Sequence, residues 1–183
     1  MIMGTQAKYQ NNGYSVLMSV YLNEKPEYLF SSIQSMMEQT IATNDFVLVC
    51  DGKLTDELNR VIALFQNKYP GIFNVIRLDK NVGIGAAANI GLQHCKNTLV
   101  AKMDSDDISY KHRCEKQLGA FANNPALTLV GSDLDEFEGD VSNIVSVRSL
   151  PQNQADIIRF AKRRSPFNNQ TIMYKKDDVI SVG

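Results

Sequence analysis

Three acids crowd one short stretch of this 183-residue sequence, Asp104-Ser105-Asp106-Asp107, directly after the apolar run Leu99-Val-Ala-Lys-Met103. Carboxylates this close repel one another, and each favours a nearby cation. Two of them at i and i+2 on a bend offer hard oxygen ligands to a common point. That set suits Mg2+ or Mn2+, with Asp106 and Asp104 as ligands and substrate phosphates completing the shell. A metal held there would neutralise a departing diphosphate. The same residues also suit a plain turn that caps the helix after Ser109. A calcium loop fits less well: Asp104, Asp106 and Glu115 keep its spacing, but Ile108 offers no side-chain oxygen and Ser109 stands where glycine is expected.

A second pattern competes for the chemistry. Gly83-Ile-Gly85-Ala-Ala-Ala88 follows an apolar run and opens a helix, and Asp104 lies about 20 residues on, as in a dinucleotide-binding fold. Such a fingerprint normally sits on a tight turn after the first strand. Here Asp79 to Val82 lengthen the turn, and the first strand is followed by Tyr21-Leu-Asn-Glu24. Simple helix–sheet packing through small residues explains the glycines equally well. A nucleotidyltransferase would share acidic metal sites and a similar sheet. It calls for a glycine- and basic-rich loop after the first strand, and Tyr21-Leu-Asn-Glu24 is not one.

These residues need a scaffold, and the chain alternates strand and helix signals. Apolar runs at Ser15–Val20, Phe46–Cys50, Phe73–Leu78 and Leu99–Met103 read as strands buried on both faces. Between them lie a helix from Pro26 fading near Thr40, one capped by Thr55 with Leu58, Ile62 and Phe65 inward, and an Ala-rich helix from Gly83 to His94. A helix from about Lys111 to Ala122 and a strand at Leu127 to Val130 follow. Beyond Gly131 the pattern loosens to a ribbon at Val141 to Val147, a helix near Gln154 to Lys162 and a strand at Thr171 to Tyr174. The fold class is α/β: a mainly parallel sheet with helices on both faces. Ligands bind such sheets beyond the C-terminal strand ends, near a switch in strand order. Tyr21 to Glu24, Asp51, Asp79 to Gly85 and Asp104 to Asp107 all fall at strand C-termini.

Bulk properties narrow the class. One domain is expected over residues 14–183, after a flexible tail over 1–13. Net charge is −1, so no broad basic face awaits a nucleic acid, and the Lys162-Arg163-Arg164 run reads as a solvated helix end. Cys50, Cys95 and Cys114 have no metal-ligand spacing, which fits a reducing cytoplasm. The longest apolar runs are far short of the roughly 20 residues that span a bilayer, so no transmembrane segment is expected, and any membrane association expected is peripheral.

Taken together, Ser15–Tyr21 with Asn23-Glu24, Val49-Cys-Asp-Gly52, Asn81-Val-Gly83 to Gly91, Met103–Ile108 with Arg113, Val130-Gly-Ser132 and Asn168 to Met173 resemble family 2 glycosyltransferases, in order and over about residues 14 to 183. The resemblance implies a GT-A (Rossmann-like) fold. It also implies metal-dependent, inverting transfer of a sugar from a nucleotide-sugar, with a UDP-linked donor expected, to an acceptor hydroxyl. The acceptor would be a saccharide or lipid-linked saccharide, and the setting bacterial surface polysaccharide synthesis in the cytoplasm or at the inner membrane face. By this resemblance Ser19, Tyr21 and Glu24 line the nucleoside pocket, Asp51 holds the base edge and Asn81 to Gly83 border it. Asp104 lies towards the ribose or metal shell, and Asp106 is the main metal ligand. The sequence departs from the pattern at Cys50, where relatives often carry an acid, at Asn169, where many have histidine, and at Ala88, where some have a basic residue. The family's general base follows the stretch that here reaches Gly183, so the chain is expected to stop before the acceptor and base region. Asp133 and Asp135 lie too early for that base and read as surface or acceptor-side residues.

Overall fold

The computed structural model describes residues 13–182, so the tail expected over 1–13 lies outside the described residues except for Gly13. The four apolar runs form parallel strands β1 (Tyr14–Tyr21), β2 (Asp45–Asp51), β3 (Phe73–Arg77) and β4 (Leu99–Asp104). They alternate with helices α1 (Pro26–Met37), α2 (Asp56–Lys68) and α3 (Ile84–His94), and α4 (Arg113–Asn123) follows β4. The later elements are β5 (Leu129–Val130), β6 (Leu134–Phe137), β7 (Ile144–Arg148), α5 (Gln154–Ala161), a 3-10 turn at Asn169–Thr171, β8 (Met173–Lys175) and α6 (Lys176–Val182).

The main sheet runs β3-β2-β1-β4-β8-β5, with β8 antiparallel to both of its neighbours. From β1 the chain steps outward to β2 and β3, then returns across both to β4. Right-handed crossovers place α1 and α2 on one face and α3 on the other when the direction reverses. The core agrees. Leu29, Ile33 and Met36 of α1, Leu58, Ile62 and Phe65 of α2, and Cys114, Leu118 and Phe121 of α4 pack on Val16, Met18, Phe46, Leu48, Ala101 and Met103. Ala87 and Leu92 of α3 pack on Leu17, Val47, Val49 and Val100. The i, i+4, i+7 spacing on α1 and α2 supplies the inward stripe. The Thr55 hydroxyl accepts from the Leu58 amide at 3.2 Å and caps α2, an interaction worth about 1 kcal/mol. On α3, Gly91 makes the close approach: a Cβ there would lie 2.4 Å from Leu17 Cδ1 and 2.7 Å from Val49 Cγ2.

The second half departs in detail from the sequence pattern. The strand expected from Leu127 pairs only at Leu129 and Val130, because the Leu127 amide is spent on a turn to the Asn124 carbonyl. The expected ribbon is present as β7, paired antiparallel with β6, which the sequence left unassigned. The strand expected from Thr171 starts at Met173 after the 3-10 turn, and α6 follows it directly.

Strand periodicity positions the polar residues. Side chains alternate faces, so Ser19 and Tyr21 follow Leu17, Asp51 follows Val49, and Lys102 and Asp104 follow Val100 on the α3 side of the sheet. Helix α3 begins only at Ile84, so its start borders these strand ends without covering them. A cleft remains at the point where strand order reverses, between β1 and β4.

Candidate functional site

The cleft has a volume of about 420 Å³. From β1 and its following turn it receives Ser19, Tyr21 and Glu24, and from β2 it receives Asp51. Asn81 and Gly83 enter from the loop before α3, and Asp104 and Asp106 from the turn after β4. All eight residues singled out in the sequence therefore meet around one space. Ser19 stands opposite Asp104 across β1 and β4, and Tyr21 opposite Asp51 across β1 and β2. Tyr21 is half-exposed, at 46%, and forms an open wall.

Asp51 is buried and already occupied. Its Oδ1 accepts from the Val82 amide at 2.7 Å and its Oδ2 from the Gly83 amide at 3.1 Å, while the Asn81 side-chain amide donates to the Asp51 carbonyl at 3.4 Å. The carboxylate thus folds the loop back over the end of β2. Each carboxylate oxygen keeps a further lone pair for a ligand. Gly52 permits the approach: its φ is +89°, and a Cβ would lie 2.8 Å from the Asn81 amide nitrogen. Gly83 caps α3 with φ +87°.

The acidic turn is braced from below. Lys102 is buried, and its Nζ donates to Asp104 Oδ1 at 2.5 Å. The Ser105 hydroxyl donates to Glu24 Oε2, tying the acidic turn to the turn after β1. Helix α1 holds the rest: the Ser32 hydroxyl donates to the Asp104 carbonyl at 2.7 Å, Ser35 Oγ accepts from the Ser109 amide at 3.0 Å, and Gln39 Oε1 accepts from the Cys114 amide at 3.0 Å. Arg113 donates to the Lys102 carbonyl at 2.7 Å and the Ile172 carbonyl at 3.1 Å, fastening β4 to the segment entering β8. None of Lys102, Ser105, Ser32 or Gln39 was picked out from the sequence. The signal for Lys102 was its position two residues before Asp104, which puts both on one face of a strand.

The three acids are not equivalent. Asp106 is exposed, and no ion pair among the described residues engages it. Asp104 is committed to Lys102. Asp107 instead lines a second cleft of about 710 Å³ between the start of α4 and the β6–β7 hairpin, and its carboxyl is pushed up to about 6 by burial first and then by Asp106 and Asp104. Tyr110 donates to Asp135 at 2.5 Å across that second cleft. Among the described residues no three His, Cys, Asp or Glu side chains gather around one point. The donor set still fits a hard divalent cation that takes one or two carboxylates and fills its shell with phosphate and water, as Mg2+ does.

The dinucleotide pattern does not find its geometry. In that fold the ribose-binding acid ends the strand next to the glycine loop. Here the loop follows β3, and Asp104 ends β4, three places away in the sheet. A Cβ at Gly85 would meet nothing within 4 Å, so it is Gly91 that provides the close helix–sheet packing.

Residues 15–180 match the family model described as Glycosyl transferase family 2. The chain belongs to that family. It is 38% identical over 170 residues to the amylovoran biosynthesis glycosyltransferase AmsE of Erwinia amylovora, covering 93% of this chain and 62% of that protein. It is 35% identical to the Escherichia coli UDP-Gal:alpha-D-GlcNAc-diphosphoundecaprenol beta-1,3-galactosyltransferase, covering 93% of this chain and 61% of that protein. The chain thus spans less than two thirds of the length of these relatives. Among solved structures, Staphylococcus aureus TarS 1-349 in complex with UDP-GlcNAc superposes with a TM-score of 0.65 at 22% identity, over 93% of this chain and 47% of that one. The Pyrobaculum calidifontis mannosyltransferase PcManGT, in complex with GDP-Man and Mn2+, gives 0.65 at 14% identity, over 93% of this chain and 46% of that one. The fold is GT-A.

Proposed function

We propose that the cleft binds the nucleoside diphosphate of a sugar donor together with Mn2+ or Mg2+. The whole protein then transfers that sugar, with inversion, to a hydroxyl of a saccharide or lipid-linked saccharide in bacterial surface polysaccharide synthesis. The observation that carries this reading is the convergence of Asp51, Ser19, Asp104 and Asp106 around one cleft where strand order reverses, the place where open α/β sheets receive ligands. Tyr21, Glu24, Asn81 and Gly83 wall the nucleoside end, with Asp51 at the base edge. Asp104 faces the ribose or metal shell, and Asp106 is the main metal ligand.

UDP as the nucleotide is supported by the E. coli relative, whose donor is UDP-galactose, and by the fold neighbour bound to UDP-GlcNAc. The metal is supported by the carboxylate set and by the Mn2+ in the mannosyltransferase. A lipid-linked acceptor is supported by that E. coli relative, which acts on a diphosphoundecaprenol-linked sugar. No helix of the described residues is long and apolar enough to cross a membrane. The proposed route to a lipid-linked acceptor is peripheral contact with the inner face of the membrane.

When bound, the metal supplies charge neutralisation to the departing diphosphate. The residues of the chain itself hold the base and ribose and keep the donor aligned for attack from the opposite face. Positioning of this kind supplies much of the rate in group transfer. No general base is assigned among the described residues. The test is Asp106→Ala, which removes an exposed carboxylate. Calorimetry should show Mn2+-dependent UDP binding lost while the thermal midpoint is kept. UDP binding equal to that of the unaltered chain would overturn the assignment.

A further inference from the structure

Lys102 is the only buried lysine among the described residues, and the role just given to the acidic turn does not use it. Burying an ammonium is costly unless it is paired. Its partner is Asp104, two residues ahead on the same face of β4, with side-chain exposures of 9% for the lysine and 26% for the aspartate. On β1 its neighbour in register is Leu17, so packing on that side would accept an apolar side chain and does not itself call for a charge. The charge is therefore there for the carboxylate.

The pair changes what the turn offers to a cation. One oxygen of Asp104 is taken by the ammonium and its negative charge is balanced, so only its second oxygen remains for the cleft. Asp107 lines the other cleft. That leaves Asp106 as the single exposed and unpaired carboxylate of the three. One carboxylate holds a hard divalent cation weakly until phosphate oxygens complete the shell.

We infer that Lys102 is a positioning residue that withholds Asp104 from the free metal, so that the cation binds firmly only together with the donor's diphosphate. The consequence is strong mutual dependence: UDP tightens Mn2+ binding and Mn2+ tightens UDP binding by the same factor. This inference rests on the donor-site reading above.

The test is Mn2+ binding to the whole chain, followed by the electron paramagnetic resonance signal of free Mn2+, with and without UDP. In Lys102→Met, a side chain of similar length without charge, Mn2+ alone should bind about tenfold more tightly, because Asp104 becomes free to join Asp106. The factor by which UDP tightens Mn2+ should shrink correspondingly. In the double variant Lys102→Met, Asp104→Asn the gain in Mn2+ affinity should vanish, which a general loosening of the fold would not produce. Circular dichroism checks folding first. Lys102→Gln, which keeps a hydrogen-bond donor but no charge, gives the same reading if the methionine variant does not fold. Unchanged Mn2+ affinity in these variants, beside Mn2+-dependent UDP binding in the unaltered chain, overturns the role of Lys102 and leaves the donor site standing. A gain that persists in the double variant also overturns it. Absence of both Mn2+ and UDP binding in the unaltered chain overturns the donor-site reading and this inference with it.

Discussion

Asp51 has two duties in this account: it folds the loop before α3, and it reserves lone pairs for the base of the nucleotide. Substituting Asp51→Asn separates them. Asparagine keeps one acceptor oxygen and replaces the other with an NH2, so one of the Val82 and Gly83 amides loses its acceptor and faces a donor. A hydrogen bond to a charged group contributes about 1.5–3 kcal/mol, and a stranded donor adds to the loss. Val82 is exposed, so water reaches the freed amide, and the damage should stay within the loop. A local loss of about 2–3 kcal/mol follows. By NMR hydrogen exchange that is a fall in protection of roughly 30- to 150-fold at one or both amides, since each 1.4 kcal/mol is tenfold. Amides within β2 should keep their protection, and UDP affinity should fall with the loop. Unaltered protection at Val82 and Gly83 would refute the idea that this carboxylate builds the loop, whatever happened to nucleotide binding.

Other outcomes follow from the same contacts. Gly52→Ala should cost about 2–4 kcal/mol in urea denaturation, because a positive φ and a contact with the Asn81 and Lys80 backbone add together. A cost below about half a kcal/mol would show that the turn relaxes freely. Gly91→Ala gains about 1 kcal/mol of helix propensity, but it drives a methyl into Leu17 and Val49, for a net loss of about 1–2 kcal/mol. A net gain in thermal midpoint would mean α3 does not sit where it is placed here. Asp104→Ala should destabilise by about 2–4 kcal/mol, more than Lys102→Met at about 1 kcal/mol. The first leaves an ammonium alone in a buried slot, and the second leaves a carboxylate that the cleft mouth can hydrate. The reverse order would contradict the burial of Lys102.

The first four strands and the cleft were legible because their signals are local. Apolar runs ending in Tyr21, Asp51 and Asp104 mark strand C-termini, and α/β topology gathers those ends. Membership of the glycosyltransferase family likewise followed from motifs in order along the chain. What the sequence hid are relations set by packing. Lys102 sits inside the run Leu99–Met103 and reads as a strand residue until its face is known to be that of Asp104. Strand β6 is Leu-Asp-Glu-Phe, whose central acids mask it; it forms against β7, where Arg148 pairs with Glu136. Helix α6 is short and contains Val179, Ile180 and Val182, which favour strand, and its place is fixed by following β8 directly. The bracing by Ser32 and Gln39 joins residues some 70 positions apart, and no local pattern announces it.

The central claim is that this cleft is a metal-dependent nucleoside diphosphate site. Its most direct test is a calorimetric titration of the chain with UDP, with and without Mn2+, using GDP and NADH as controls. UDP should bind when Mn2+ is present and weakly or not at all without it, and NADH should not bind. GDP binding in place of UDP would keep the site and change the donor. NADH binding with no nucleoside diphosphate binding, Mn2+ present or absent, would contradict the account.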